Sequence, residues 1–343
     1  MMKDVSEKDV PLRTKLQYRE GVSEENAIAG PMKRGRAFQN LFLTEEWRSY
    51  VERTYGHSFY PLHLVLTSGT RVDISSYDLP RRLGLFHVLY STPPYYYGGL
   101  FANPPLGDDE LLEVFERVRR RWDIHSLTIA FHPLDSLSRV RFSGIDKWVL
   151  SESTTHVLDL SAYCATSGDV SFSKNQRKKL KRAIGRGVTI VRDDSPAAVG
   201  QFYRVYLDSA ARWGLGRTEP LESFLALQQY LNPYFALRLA VVSGRVIAGL
   251  IVLSYGDVVF AMHAASLSDY WDLFPNNLLH GDAIATARKE GRCFFDFLPS
   301  AHLAGVEAFK ESFGGVKLCY NVYRIPGRLY SGCAQAASKI LGR

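Results

Sequence analysis

The chain has 343 residues, 46% of them hydrophobic and 22% charged, and a formal net charge of +7. That balance excludes a disordered main body, and the length suits two domains of ordinary size. No apolar run approaches the roughly 20 residues that a membrane-spanning helix needs, and the opening MMKDVSEKDVPLRTK has no hydrophobic signal core, so the expected location is cytoplasmic. Cys164, Cys293, Cys319 and Cys333 are widely separated without C-x-x-C spacing, which reads as reduced thiols with neither a disulfide framework nor a metal site.

Residues 1–37 are polar, show no sustained hydrophobic period, and are expected to form a mobile or surface-laid arm that ends in the cations Lys33, Arg34 and Arg36. A first α/β unit is expected over 38–165. Thr44 followed by Glu45 and Glu46 predicts a capped helix running to Gly56, with acids in its positive first turn. Strands are predicted at 61–67, 85–91 and 126–131, with a helix from Asp108 to about Arg121. Between the second strand and that helix lies the loop Tyr95-Tyr96-Tyr97-Gly98-Gly99. A further strand is predicted at His156–Leu160.

A second unit is expected over 166–327, leaving 328–343 as a tail. It opens with a helix bearing Lys174, Arg177, Lys178, Lys179, Lys181, Arg182 and Arg186 and no acid; these seven charges equal the whole net excess. Leu180, Ala183 and Ile184 are its expected apolar stripe, and Gly185 and Gly187 its stop. Strand 188–191, helices at 195–213 and after Pro220, and a three-stranded meander over 234–265 follow. Ser243-Gly244 and Tyr255-Gly256 are the meander's hairpin signals. A helix opens at Pro275-Asn276-Asn277 and ends at Gly291. The strand 293–297 carries Asp296, and the next helix places Leu303, Val306, Phe309 and Phe313 at helical spacing with Lys310 inside that stripe. A lysine there snorkels, pairs or takes part in chemistry.

The order β-α-α-β-β-β-α-β-α-β is that of the GNAT acyltransferase fold. The segments FSKNQRKKLKRAIGRGVTIV, LAVVSGRVIAGLIVL, NNLLHGDAIATARKEG and FFDF…FKESFGG resemble the Fem-type subgroup, in which two GNAT-like units share one chain. The resemblance is stronger over 150–325 than over 38–150. It implies two tandem α/β (α+β) units, each a mixed, mostly antiparallel sheet flanked by helices. It also implies amide-bond formation by transfer of an acyl or aminoacyl group to an amine, such as a cell-wall precursor or a natural-product intermediate. Acyl-CoA users of the wider fold carry an Arg/Gln-x-x-Gly-x-Gly/Ala turn where this chain has SLSDYWDLFPNN. With the basic helix, that departure favours an aminoacyl-tRNA donor over acyl-CoA, with no tightly bound cofactor.

An activated ester or thioester needs position, a route for the amine proton and oxyanion stabilisation, and no nucleophile or metal. Lys310 matches the lysine of the Fem-type F-K-x-x-F/Y pattern and is the expected oxyanion or donor contact; Asp296, expected to be half-buried, is the proton acceptor, the ion-pair partner of Lys310 or a cap of the next helix. Lys174, Arg177, Lys178, Lys181 and Arg182 are the expected phosphate contacts, joined by Asn276 and Asn277 at a helix start. Tyr96, Tyr97, Gly98, Gly99 and His263 are the expected acceptor-cleft residues, although a loop packed at a domain interface explains the tyrosines about as well and a satisfied core histidine is the commoner reading of His263. Two alternatives stay open: a CoA-dependent N-acetyltransferase acting on an amino sugar or small amine, and a non-catalytic module that binds nucleic acid or an anionic surface.

Overall fold

The computed structural model describes residues 38–79, 87–93, 96–139, 144–161, 172–213, 218–300 and 303–328. The expected arm with Lys33, Arg34 and Arg36, as well as Tyr95, Cys164, Cys333 and residues 329–343, lies outside them. The first half contains α1 (Glu45–Tyr55), β1 (Ser58–Phe59), β2 (Leu62–Val65), β3 (Arg71–Ile74), β4 (Tyr77–Asp78), β5 (His87–Tyr90), β6 (Leu100–Asn103), α2 (Asp108–Arg120), β7 (Ile124–Ala130) and β8 (Val149–Asp159). The second half contains α3 (Lys174–Gly185), β9 (Thr189–Arg192), α4 (Pro196–Arg212), α5 (Leu221–Tyr230), β10 (Phe235–Val242), β11 (Arg245–Tyr255), β12 (Val258–Ser266), α6 (Pro275–Lys289), β13 (Phe294–Pro299), α7 (Ala304–Glu311) and β14 (Val316–Pro326). The expected order of elements in the second half is the observed one.

Local chemistry accounts for most boundaries. Thr44 Oγ1 accepts from Trp47 N, and Gly56 closes α1 in the left-handed conformation. Ser173 caps α3 by accepting from Gln176 N, and Ser195 caps α4 by accepting from Ala198 N, with Pro196 at the first helical position. Ser243 and Gly244 both have positive φ, 48° and 75°, as the tight β10–β11 hairpin requires. In the first half the alternating run Arg71–Ile74 pairs with β2 and β6 in a separate three-stranded sheet, which the sequence reading passed over.

The large sheet has eleven strands in the order β1-β4-β5-β7-β14-β8-β13-β12-β11-β10-β9. Its neighbours are antiparallel except at β5–β7 and β12–β13, one parallel joint in each half. The halves exchange strands at the centre. β8, from the first half, lies between β13 and β14 of the second; β14 pairs with β8 over 316–323 and with β7 over 322–326. One face of the central sheet is covered by α4, α5 and α1, whose core holds Trp47, Phe202, Phe224 and Phe260. On the opposite face α3 and α6 cover Leu250, Val252, Val259 and Phe295. There, Gly281 of α6 lets the helices approach, because a Cβ at that position would meet Leu180 Cδ2 of α3 at 2.3 Å.

Two predicted apolar faces differ from the structure. On α3 the buried residues are Gln176 and Ala183, Leu180 is half-buried, and Ile184 is 62% exposed. Gln176 goes inside because its Oε1 accepts from Asn277 Nδ2 at 2.9 Å, which satisfies a polar group in the α3–α6 seam. On α7, Leu303 and Val306 are exposed while Lys310 is the buried residue, so that helix lies with its lysine edge inward.

The strand exchange predicts how fragments behave. Residues 166–327 produced alone lack β8 and leave the facing edges of β13 and β14 unpaired. The expected outcome is no cooperative unfolding transition in urea, and recovery of one when the fragment is extended back to residue 144.

Candidate active site

β12 and β13 pair through only three residue pairs, Val258–Phe294, Val259–Phe295 and Phe260–Asp296. β12 continues to Ser266 and β13 to Pro299, so beyond Phe260 and Asp296 the strands part and leave an open-sided cleft between them. Asp296 is at the vertex and is fully buried. Its Oδ2 lies 2.8 Å from His132 Nε2; its Oδ1 accepts from Thr155 Oγ1 at 2.8 Å and from Leu298 N at 2.7 Å. Leu134 N donates to His132 Nδ1, so the neutral ring carries its proton on Nε2 and donates it to Asp296. The half-burial and the ion pair with Lys310 expected for Asp296 are therefore not what the fold builds: its hydrogen-bonding partners come from the first half and from its own strand.

Lys310 reaches the same vertex indirectly. Asp296 holds the Leu298 amide and Leu298 adopts a positive φ of 58°, an uncommon conformation for a leucine. The turned strand presents the Leu298 carbonyl, which accepts from Lys310 Nζ. Lys310 is 5% exposed. Burial pushes its ammonium down to about 8, against the opposing pull of the nearby carboxylates Asp296 and Glu307. Around it, His280 of α6 stacks on Phe297 and meets Phe309 edge-on. Burial lowers His280 to about 4, so it is neutral, and its Nδ1–H donates to the Asn276 carbonyl. His156 of β8 is buried and also pushed down, first by desolvation and then by Lys310.

The remaining predicted residues divide into three places. Tyr97 joins the vertex: it is fully buried, edge-on to His132 with ring centroids 4.4 Å apart, and its hydroxyl is held well above its usual range by burial and by the Asp296 charge. Tyr96 and His263 border an aromatic wall on the α4–α5 side. Tyr96 packs on Phe42 and Trp47 and is pushed up by burial and by Tyr55, while His263 meets Phe224 edge-on and is lowered by burial to about 4. Gly98 is a packing glycine, since a Cβ there would meet Ser91 Oγ at 2.0 Å, and its carbonyl accepts from Asn40. Gly99 follows at a φ of 148°.

On the other side, Asn276 donates to Ser266 Oγ, and Asn277 is 8% exposed and turned toward Gln176 rather than toward solvent. Lys174, Arg177, Lys178 and Arg182 extend along the outer surface of α3, and Lys181 is also exposed. The fold does not bring them to the Asp296 vertex. The loop before α6 is fixed by cations from several elements: Arg245 stands over Tyr270, Arg212 over Trp271 at 4.6 Å, and Lys179 over Phe274, while Arg186 donates to Asp272. Sequence reasoning missed His132, which follows β7 in the string FHPLD. A histidine at a strand end before proline has no period to reveal it.

A family model described as "Acetyltransferase (GNAT) domain" matches residues 171–311, a span that contains the cleft, Asp296 and Lys310. Residues 171–311 are a GNAT domain. Across the whole chain the fold is similar to that of FemX, with a TM-score of 0.63 at 12% identity, covering 89% of this chain and 95% of that one. It is also similar to a conserved protein of unknown function from Bacteroides thetaiotaomicron, with a TM-score of 0.51 at 11% identity, covering 80% of this chain and 87% of that one. The C-terminal domain of an Agrobacterium fabrum protein described as a lysylphosphatidylglycerol synthetase aligns with a TM-score of 0.50 at 14% identity, covering 81% and 88%. No curated protein sequence matches the chain. The chain thus shares the fold of FemX, and the strands that part at Asp296, β12 and β13, lie within the span that matches the GNAT domain model.

The vertex can be tested through stability. Replacing His132 by Ala removes the partner of Asp296 Oδ2, leaving that buried oxygen unsatisfied beside a ring-sized void, which is expected to cost about 3 kcal/mol or more. Thr155→Val removes one hydrogen bond to the same carboxylate and is expected to cost less, about 1.5–3 kcal/mol. Urea unfolding of the two variants beside the wild type measures both and their order.

Proposed function

We propose that the protein is an amide-forming acyltransferase that moves an aminoacyl group from tRNA, or another activated acyl group, onto an amine. The observation that carries this reading is Lys310, a buried ammonium anchored by the carbonyl of Leu298, two residues beyond the last residue of β13 that pairs with β12. As the amine attacks the donor carbonyl, negative charge develops on its oxygen. One N–H of Lys310 is taken by the Leu298 carbonyl, and the other two are available to the oxyanion. The proton lost by the amine goes to water or to the departing oxygen or sulfur. Asp296 is assigned to positioning, because both its oxygens are already engaged and it is shut away from solvent. The neutral His263 and the tyrosine wall suit the acceptor side, and the α6–α7 side with Lys310 suits the donor.

The donor reading rests on the loop 267–274. Trp271 is 54% exposed with Arg212 over its ring, and the cations of α3 extend from the same side, a combination that fits stacked bases and a phosphate backbone. Acyl-CoA is the second reading. It is favoured by the start of α6, which has no side-chain cap and so presents bare N–H groups to a pyrophosphate. The acceptor is proposed as a small or precursor amine.

Incubation with charged tRNA or with acetyl-CoA, each with a panel of amines, is expected to deplete charged tRNA in an amine-dependent way, with binding that weakens steeply as salt rises. Loss of acetyl-CoA alone would instead select the second reading; loss of neither donor would leave a binding module. Lys310→Met is expected to reduce turnover about 100-fold or more, as removal of an oxyanion contact does. Wild-type activity is expected to fall as pH rises through about 8, where Lys310 loses its proton. The stability effect has the opposite sign. Between about 8 and the ordinary lysine value of 10.5 the unfolded chain holds a proton that the folded one has lost, so Lys310 makes wild-type stability rise with pH across that window. Lys310→Met removes that slope.

A further inference from the structure

At the far end of α6 from the cleft lies a second cavity of about 250 Å³, between the last turns of that helix and strands β10, β11 and β12. We propose that it is a binding site for a small oxyanion, a carboxylate or a phosphate monoester, distinct from the transfer site. Its floor is small and apolar, with Ala236 on the sheet and Ala283 and Ala287 on the helix, and its wall carries Arg192, Arg238 and Arg292.

Three observations point to an anion. First, Arg238 of β10 is directly opposite Arg192 of β9, so the two side chains stand on the same sheet face; like charges in that register are destabilising unless something between them compensates. Second, Arg238 is 5% exposed, and only its Nε is engaged, with Asp282 at 3.0 Å. Its Nη1 is buried without a hydrogen-bond partner, a costly condition for a charged group that a bound oxyanion would relieve. Third, Arg292 repeats the pattern. Its Nη1 donates to the Gly256 carbonyl, Glu290 stands 3.8 Å from its Nε, and that Nε is likewise buried without a hydrogen bond.

The carboxylates nearby do not fill this role. Asp194 accepts from Nε and Nη2 of Arg192, and Asp282 accepts from Nε of Arg238; neither carboxylate lines the cavity. Glu290 is the one acid in the lining, against three guanidinium groups, two of which reach carboxylates that lie outside it. Planar guanidinium forks match carboxylate and phosphate oxygens equally well, so the class is set by geometry and the two members by experiment.

Isothermal titration of the full-length protein with inorganic phosphate, and separately with acetate, at an ionic strength held constant with sodium chloride, tests the site. Saturable binding of one of them is expected, phosphate identifying a phosphate ligand and acetate a carboxylate. Arg238→Met and Ala287→Leu, the latter filling the cavity without touching a charge, are each expected to weaken that binding at least 10-fold. If Arg238→Met fails to fold by circular dichroism, Arg192→Met, at a side chain 54% exposed, takes its place. No saturable heat with either anion, or equal affinity in the wild type and the folded variants, would overturn the proposal.

Discussion

The buried carboxylate of Asp296 is the contact on which the cleft depends. It collects two donors from the first half, His132 from the end of β7 and Thr155 from β8, and takes the Leu298 amide of its own strand. That last bond turns β13 at the residue with positive φ, and the turn presents the carbonyl on which Lys310 is anchored. A carboxylate withdrawn from water is tolerated only if its acceptor sites are filled, so the junction of the two halves and the shape of the cleft are set by one requirement. Loosening His132 would therefore reach Lys310 through two covalent steps along β13 without touching it.

The exchange of β8 and β14 gives that arrangement its rigidity. Each of these strands is hydrogen-bonded on both edges, and each carries residues of one half into the sheet of the other. Backbone groups at the vertex are thus held by ladders that cannot open singly. Phe38 stacks on His132 with ring centroids 4.5 Å apart, and Phe260 meets it edge-on, so the ring that binds Asp296 is also held by packing from both sides. That ring has little freedom to turn away from the carboxylate.

Elements whose signals are local were legible in the sequence. Thr44 and Gly56 bound α1, Ser243-Gly244 turns the β10–β11 hairpin, and the order of the second half follows from alternation and period. What the sequence hid depends on where an element lies against others. The period on α7 shows that Leu303, Val306, Phe309 and Phe313 share a side with Lys310, but not that the helix turns its lysine inward and leaves Leu303 and Val306 in solvent. Gln176 reads as one more polar residue on a basic helix until Asn277 is found beside it. His132 carries no signal, because its partner is 164 residues away. Lys310 was legible as out of place, which is the kind of local inconsistency that marks functional positions.

The energetics of Lys310 favour chemistry over structure. Among the described residues two long cationic side chains are nearly fully buried, Arg238 and Lys310, and only Arg238 has a carboxylate within ion-pairing distance. Lys310 is held by a neutral carbonyl, while the nearest interior carboxylate is already bonded to His132. A methionine would fill the same volume without desolvating an ammonium, so packing alone gives no reason for a lysine. An ammonium with no ion-pair partner among the described residues is stabilised when negative charge arrives beside it. Under the proposed acyl transfer, the oxyanion of the tetrahedral intermediate would bring that charge at the moment the barrier is crossed, and the cost of keeping Lys310 buried would be returned as a lower barrier.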